Sequence, residues 1–295
     1  MKKLLLIIAA LVLTGTLAFA AEKQDEVHVN NLTELIYAMR SNRVIIIDND
    51  IEFEDGLNQL HNYNPRRLPQ ESRYEREKLS SVTDKCYIDQ NTDGPELLLA
   101  GFSNLTIKSG DENYRRLLRI RPRYAYVLNF FNCTNIRFEG LVMGHTDEGY
   151  CEGGVLYFEN CKDITISNCD LYGCGTEGIG CLQTSNLKMS NSLIRDCSYQ
   201  IMTLRQCKDF SFDRCFFFRN RQFSLLDIFS SGNIKFTDCM ITHNEGTLCN
   251  FQDDENIVFE RCNIMHKFDA LGNFYDAKFK DCTQSDEFGV KRNMD

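Results

Sequence analysis

One stretch of the sequence combines a histidine with several carboxylates, the side chains that most often move protons in enzymes. His145, Asp147 and Glu152 lie within a single eight-residue segment. A histidine close to carboxylates could act as a general acid or base, or contribute to a metal site. Glu177 follows about one repeat later and could join them. A polar turn with a solvated histidine is the alternative interpretation.

A second candidate for ligand binding is a group of arginines in an otherwise acidic chain. Arg119 and Arg121 alternate with Leu118 and Ile120, so a strand here would direct both guanidinium groups outward. Two such groups could bind carboxylates or sulfates through paired hydrogen bonds. A cationic face neutralised by acidic residues elsewhere in the chain is the alternative.

The elements that must position these residues are indicated by a repeated phrase. In it, Asn or Asp precedes an apolar anchor residue, and a second apolar residue follows two positions later. Successive anchors are 31, 28, 23, 23, 24, 23 and 20 residues apart. A period in the low twenties is typical of a solenoid of stacked strands. The anchors are Leu105, Ile136, Ile164, Leu187, Phe210, Ile234, Ile257 and Ala277.

Each coil of this repeat divides into three strand-like pieces. One contains the anchor, a second begins five residues after it, and a third precedes the next anchor. Two apolar residues separated by one residue give the period of a strand buried on one face. Three stacked strands per coil predict an all-β solenoid with three parallel sheets. The 28-residue coil that starts at Ile136 predicts a bulging loop near His145.

The outward positions of the third strand combine aromatic rings, carboxylates and one arginine. The rings could stack on sugars, and the charged groups could orient hydroxyls or uronates. The alternative for Arg205 and Asp227, which fall on adjacent rungs, is a surface ion pair of little energetic value. The predicted binding residues on this face are Phe131, Tyr157, Glu159, Arg205, Asp227 and Phe229.

The chain contains 14 cysteines, most of them at recurring positions in the repeat. Recurrence at one coil position predicts stacks of buried thiols, which pack as small hydrophobic groups. Disulfides are an alternative, because rungs about 4.8 Å apart lie inside the Cα separation that disulfides tolerate. A zinc site is disfavoured, because no Cys-x-x-Cys pair recurs with a partner. Five cysteines that lie five residues after an anchor are Cys169, Cys215, Cys239, Cys262 and Cys282.

The first twenty residues predict a signal peptide. A basic start, a short apolar run and an Ala-x-Ala ending precede an expected cleavage after Ala20. We therefore expect a secreted or periplasmic protein with one β-helix domain over residues 21–295 and regular coils over about 100–283. No later segment approaches the roughly 18 apolar residues that a membrane span needs, so we expect no membrane insertion.

Residues 21–99 are predicted to form an N-terminal cap and an irregular excursion. Asn31 and Glu34 have the spacing of a helix capping box, and residues 44–47 form an apolar run typical of a buried strand. A helix that leads into a strand would cover the open end of a solenoid. The polar tract over residues 52–93 is interpreted as the excursion or as a surface helix.

From about Ala100 to Thr283, the chain resembles the pectate-lyase-like, right-handed parallel β-helix proteins. The resemblance rests on the repeat period and on the Asn and Asp residues at its corners. It implies a right-handed helix of three sheets and, by analogy with its polysaccharide-active members, a site on the outer face of one sheet. Asn91-Thr92-Asp93-Gly94 matches part of a polygalacturonase motif, but the paired-aspartate and Arg-Ile-Lys elements are missing. No family mechanism can therefore be assigned to particular residues.

Three functions are compatible with these observations. The first is an exported protein that associates with glycans or surface polymers, and the second is a polysaccharide lyase or glycoside hydrolase. The third is a structural envelope protein or adhesin. A net charge of −9 disfavours nucleic acid as a partner, and we expect a monomer. No cofactor is predicted, although calcium would be expected of a lyase.

Overall fold

The strands of this protein wind through three parallel sheets, named A, B and C here. Each regular coil contributes one strand to sheet C, then one to sheet A and one to sheet B. This confirms the predicted parallel β-helix. The computed structural model describes residues 24–53, 77–78, 85–91, 93–146, 153–173, 175–274, 277–286, 289 and 291–294.

Sheet A contains the anchor residues. Ile136 lies opposite Leu105 on one side and Ile164 on the other, so the repeat in the sequence is the in-register stacking of this sheet. The anchor and the residue two places later point inward and are buried, whereas their neighbours alternate outward. The strands of sheet A are Asp25–Val29, Arg43–Ile47, Ser103–Ser109, Thr134–Glu139, Lys162–Ser167, Ser185–Ser190, Lys208–Asp213, Gly232–Thr237, Glu255–Glu260 and Lys278–Lys280.

Sheet B follows each strand of sheet A after a short corner. Its regular strands are only three to five residues long and are paired in parallel, while the last pair is antiparallel. The strands of sheet B are Ile51–Glu52, Arg116–Ile120, Leu141–His145, Asp170–Tyr172, Leu193–Arg195, Phe216–Phe218, Met240–Thr242, Asn263–Met265, Cys282–Ser285 and Lys291–Met294.

Sheet C precedes each strand of sheet A and begins with an antiparallel hairpin. The turn of that hairpin includes Asp93, so the partial polygalacturonase motif coincides with a hairpin turn. The strands of sheet C are Glu77–Lys78, Cys86–Asn91, Gly94–Ala100, Leu128–Phe131, Leu156–Glu159, Glu177–Leu182, Gln200–Arg205, Ser224–Phe229, Thr247–Gln252 and Gly272–Asn273.

The corners before the anchors explain the repeated Asn and Asp. Asn104 and Asn135 have φ angles of 55° and 54°, a left-handed conformation that Asn and Asp adopt more readily than most residues. Their side chains also stack, since Asn135 donates to Asn104 at 2.8 Å and Asn104 donates to Asn42 at 2.7 Å. These asparagines therefore form a hydrogen-bonded side-chain ladder along sheet A.

The interior is filled by stacked apolar side chains from successive coils. Phe212, Phe236, Phe259 and Phe279 form one continuous stack, with ring centroids 4.7, 4.6 and 5.0 Å apart. Offset or parallel stacking adds to the hydrophobic stabilisation of such rings. The stack keeps neighbouring coils at the strand spacing that brings the outer residues into rows.

The predicted buried thiol stacks are confirmed for the described cysteines. All twelve of them are buried; Cys151 and Cys174 lie outside the described residues. Thiols at the corners also accept hydrogen bonds from the backbone of the preceding coil, as a hydroxyl does elsewhere. The Cys133 N–H donates to Cys161 Sγ at 3.3 Å, and the Cys169 N–H donates to Ser192 Oγ at 2.9 Å. The cysteines thus serve both packing and backbone hydrogen bonding.

The N-terminal cap is continuous with the solenoid. The helix Leu32–Ala38 begins at Asn31, whose side chain accepts a hydrogen bond from the Glu34 N–H at 2.9 Å. The expected helix and the following strand are both confirmed. However, Asp25–Val29 and Arg43–Ile47 extend sheet A, so strand stacking begins well before residue 100. The expected signal peptide and most of the excursion lie outside the described residues.

Candidate functional site

The outer face of sheet C carries three rows of side chains that run along the solenoid. The strand register places the predicted binding residues in two of them. The central row is Asn129, Tyr157, Gly180, Thr203, Asp227 and Asn250, and the distal row is Phe131, Glu159, Leu182, Arg205, Phe229 and Gln252. A third, leading row lies at the start of the strands and comprises Tyr126, Gly154, Glu177, Gln200, Ser224 and Thr247.

The aromatic rings of this face are spread along it. Phe131 and Phe229 belong to the distal row and are four rungs apart, which corresponds to about 19 Å at the usual strand spacing. Tyr157 lies between them in the central row. All three side chains are half-buried, so part of each ring faces solvent.

The leading row arises from a break in the alternation of buried and outward residues. At the start of these strands, two consecutive residues are buried, as in Val155 with Leu156 and Leu225 with Leu226. The residue before each pair consequently points outward again. A period of two does not reveal this row, so the sequence pattern gives no indication of Tyr126 and groups Glu177 with His145 instead.

Glu177 is the most enclosed carboxylate of the three rows, with 6% of its surface exposed. The Tyr126 hydroxyl donates to Glu177 Oε1 at 2.5 Å, and the Thr203 hydroxyl lies 3.5 Å from Oε2. Tyr126 and Glu177 are two rungs apart, and the Tyr126 ring crosses the intervening Gly154. A Cβ at Gly154 would lie 2.5 Å from Tyr126 Cε1, so only glycine leaves space for this contact.

Gly180 provides a second gap on the same face. A Cβ there would lie 2.7 Å from Glu177 Oε1 and 2.7 Å from Tyr157 Cδ2. The Tyr126 and Tyr157 rings are 5.0 Å apart at their centroids. Two glycines therefore allow two tyrosine rings and one carboxyl to pack against the sheet as a unit.

Burial changes the acid–base properties of this unit. Desolvation raises the pKa of Glu177 more than the hydrogen bonds from Tyr126, Thr176 and Thr203 lower it. Desolvation, reinforced by the Glu177 charge, also raises the pKa of Tyr126 well above its usual value. A carboxyl that retains its proton to higher pH has the property required of a general acid.

A second polar network surrounds Asp227. Arg205 Nη2 donates to Asp227 Oδ2 at 3.0 Å, and Asn250 Nδ2 donates to Oδ1 at 2.7 Å. Gln252 Nε2 in turn donates to Asn250 Oδ1 at 3.0 Å. The alternative interpretation of Arg205 and Asp227 as an ion pair is thus confirmed. The pair belongs to a network that crosses three rungs.

The face ends beside a surface cleft of about 420 Å³. Gln252 of the distal row, Asp254 and Asn273 contribute polar groups to it, while Phe251 and Ile257 contribute apolar surface. Burial raises the pKa of Asp254 despite its hydrogen bonds with the backbone of Ser231 and Gln252. The cleft extends the polar character of the face toward the last coils.

His145 occupies a different environment from the one expected. It ends the strand Leu141–His145 of sheet B and is 4% exposed. Its Nε2 lies 2.9 Å from the Ala125 carbonyl oxygen, and burial lowers its pKa. The solvated-histidine alternative is therefore wrong. Asp147 and Glu152 lie outside the described residues, and Glu177 belongs to sheet C, so no acid–base group containing His145 is assembled by the described chain.

The two arginines predicted to bind anions also lie away from sheet C. Arg119 belongs to sheet B and forms an ion pair with Glu52, and the hydrogen bond to Glu52 raises its pKa. Arg121 follows the end of that strand, so the expected outward pair within one strand is not formed. The sequence did not reveal the Glu52 partner, because that residue precedes the repeat by more than fifty positions.

Calcium or another metal finds no ready ligand set here. Across the part of the chain that the structure describes, no group of three or more His, Cys, Asp or Glu side chains could hold a metal ion. Two carboxylates of sheet C instead have other partners: Glu177 accepts from Tyr126, and Asp227 accepts from Arg205 and Asn250. No helix among the described residues is long and apolar enough to cross a membrane.

Solved structures that match this chain include two pectate lyases and a polygalacturonase. The pectate lyase of Paenibacillus sp. 0602 matches 93% of this chain and 80% of its own, with a TM-score of 0.57 and 11% identity. A thermostable pectate lyase matches 92% and 81%, with a TM-score of 0.40 and 10% identity. The Erwinia carotovora ssp. carotovora polygalacturonase matches 88% and 83%, with a TM-score of 0.31 and 8% identity. At these identities, the first likeness supports the fold alone.

The family comparison agrees with that architecture. Among curated proteins, no match to the chain was found. The family described as right handed beta helix region matches residues 128–283. This region contains seven of the eight anchors and, apart from Tyr126, the three rows of sheet C. Because it covers more than half of the sequence, the chain belongs to the right-handed β-helix family.

Proposed function

We propose that this protein binds a polysaccharide along the outer face of sheet C. The observation that carries the proposal is the ladder of side chains in three parallel rows, where rings alternate with hydroxyl, amide and carboxylate groups. A sugar chain presents the complementary pattern of apolar ring faces and hydroxyl edges. The similar fold of the Paenibacillus pectate lyase supports the choice of a carbohydrate as the ligand.

The rings and the polar groups have separate roles in this proposal. Phe131, Tyr157 and Phe229 provide stacking surfaces for sugar rings, since large apolar surfaces supply most of the affinity of such sites. Glu159, Arg205 and Asp227 orient hydroxyls, which confers specificity at a smaller energetic gain. Arg119 and Arg121, which lie elsewhere, are not part of this proposed site.

The test is retention of the protein on immobilised or gel-embedded polysaccharides. Tyr157→Ala and Phe229→Ala should each weaken retention, whereas Phe216→Ala on sheet B should not. Phe216 is a matched control because it is also a half-buried outward phenylalanine in a strand. Unchanged retention of both sheet C variants would exclude this face, and failure of the wild-type protein to bind any glycan would reject the function.

A second candidate function, cleavage of a polysaccharide, is favoured by the Tyr126–Glu177 pair. Glu177 adjoins the proposed ligand face and has the raised pKa of a potential general acid. Assays for unsaturated products and for reducing ends on uronate and neutral substrates would detect lyase and hydrolase activity. Glu177→Gln should abolish such activity but retain binding. Background rates with and without calcium would reject cleavage.

Export is part of the same proposal. The apolar N-terminal segment would direct the chain outside the cytoplasm, where a polysaccharide is accessible. N-terminal sequencing of the mature protein should find Ala21 as its first residue. An intact Met1 on the natively expressed protein would contradict export. A different result, stable binding of an envelope protein in place of a glycan, would support a structural or adhesive role.

A further inference from the structure

The charges on the outer face of sheet C are distributed unevenly. Its three rows contain three carboxylates, Glu159, Glu177 and Asp227, and one cationic side chain, Arg205. Arg205 forms its ion pair with Asp227 at 3.0 Å, so the cation is already neutralised. The face as a whole is therefore negative.

This distribution disfavours anionic ligands. Rungs are about 4.8 Å apart, and charges interact within a Debye length of about 8 Å at physiological ionic strength. A uronate stacked on Tyr157 would lie beside the Glu159 carboxylate on the same rung and would be repelled. Binding it through Arg205 would require giving up the pair with Asp227. No carboxylate cluster for a bridging cation exists among the described residues.

The uncharged groups of the same rows favour another class of ligand. Gln200, Thr203, Asn250 and Gln252 provide amide and hydroxyl groups, which both donate and accept hydrogen bonds. The Thr203 hydroxyl donates to Gln200 Oε1 at 3.2 Å, and Gln252 Nε2 donates to Asn250 Oδ1 at 3.0 Å. These contacts hold the polar atoms in fixed positions next to the rings. Such groups match the hydroxyls of a sugar without charge.

We propose that the outer face of sheet C binds a neutral polysaccharide, built from hexoses or pentoses without carboxylate or sulfate groups, and excludes polyuronates. The inference rests on the proposed glycan-binding function and specifies its ligand class. The carboxylates exclude polyanions, the rings stack on sugar faces, and the amides and hydroxyls select by hydrogen bonding.

The experiment compares retention on neutral and anionic polysaccharides with the full chain. The neutral probes are xylan, mannan, cellulose and a mixed-linkage β-glucan, and the anionic probes are polygalacturonate and alginate, each with and without calcium. The wild-type protein should be retained by at least one neutral polymer, with little change between low and high salt. It should not be retained by either polyuronate at low salt.

A charge reversal provides the second measurement. Glu159→Lys should raise binding to polygalacturonate by about tenfold at low salt, because the repulsion becomes attraction. Glu139→Lys is the matched control: it makes the same change at an exposed strand position of sheet A and should leave binding unchanged. Equal gains in the two variants would overturn the proposal by assigning the effect to overall charge.

The remaining outcomes separate this inference from the function on which it depends. Wild-type binding to a polyuronate that equals or exceeds binding to every neutral polymer would overturn the neutral ligand class but preserve glycan binding. Retention by none of the six polymers would reject both. Circular dichroism and thermal melting of each variant identify any loss of fold before retention is interpreted.

Discussion

The outer faces of sheets B and C share the same backbone spacing but use polar residues in different ways. On sheet B, Arg195 forms two hydrogen bonds of 2.9 Å with Asp170 and one of 2.7 Å with Asp196. Its guanidinium also lies 4.7 Å from the centre of the Tyr172 ring. On sheet C, Tyr157 packs beside Tyr126 and the gap at Gly180. The comparison separates a face whose charges pair with one another from a face that combines rings, uncharged polar groups and an excess of carboxylates.

The difference shows how a repeat can assign separate tasks to its sides. The network on sheet B continues to Arg219, which forms two hydrogen bonds of 2.7 Å with Asp196 and covers the Phe218 ring at 4.6 Å. Extended networks of this kind stabilise a surface more than isolated pairs do. They also use the donors, acceptors and ring faces that a ligand would need. Sheet B is thus suited to stabilising the solenoid and sheet C to recognition.

The largest expected effect is on the stability of sheet B. Asp170→Ala removes the bidentate partner of Arg195. Because the Asp170 side chain is only 12% exposed, the free energy of unfolding should fall by about 2 to 3 kcal/mol. Urea denaturation measures it. Glycan retention of the folded variant should be unchanged. Weaker retention at unchanged stability would break the separation of tasks between the two faces.

The next effect concerns the gap on sheet C. Gly180→Val would place a Cβ 2.7 Å from both Glu177 Oε1 and Tyr157 Cδ2. It should therefore displace both side chains and weaken retention about tenfold, or 1.4 kcal/mol. Retention on the neutral polymer that binds wild-type protein measures this change. Ser211→Val, at an outward position of sheet A, is the control. Normal binding by Gly180→Val would show that the Tyr157 position is unimportant.

The smallest effects are opposite pH dependences of stability. Burial raises the pKa of Glu177, so its contribution to stability is full below its unfolded pKa and is lost as the pH rises through the folded value. Burial also raises the pKa of Asp196, but its hydrogen bonds with Arg219 and Arg195 together outweigh burial and lower it. The contribution of Asp196 to folding stability is therefore present above the pKa of Asp196 in the unfolded chain. It is lost as the pH falls through the pKa of Asp196 in the folded protein.

Denaturation of two variants between pH 3 and pH 7 checks these signs. Relative to wild type, Glu177→Gln should become more stable as the pH rises from about 4. The stability deficit of Asp196→Asn should shrink as the pH falls below about 4. Variant and wild-type curves that stay parallel throughout would contradict the pKa shifts of both carboxyls.

Much of the fold was predictable because stacking in register turns sequence spacing into position. Once Ile136 and Ile164 are aligned, the central and distal rows follow by counting, and the predicted face of Tyr157, Asp227 and Phe229 is recovered. The leading row was not predictable, since two consecutive buried residues interrupt the alternation before it. Tyr126 and Glu177 meet across two rungs only because Gly154 lacks a side chain.

The environments of two other residues depended on contacts that spacing does not encode. Arg119 meets Glu52, which belongs to the irregular start of the chain. His145 is buried against the Ala125 carbonyl in a neighbouring coil, although its sequence neighbours are polar. In both cases, a tertiary contact outside the repeat determines what the side chain does.

The most direct test of recognition by sheet C uses the absence of tryptophan from the chain. Phe229→Trp and Phe216→Trp each introduce a single fluorescent reporter, on sheet C and sheet B respectively. Titration with a neutral polysaccharide should shift and intensify the emission of Phe229→Trp while that of Phe216→Trp stays constant. A saturable change in Phe216→Trp with none in Phe229→Trp would contradict the assignment of the ligand to sheet C.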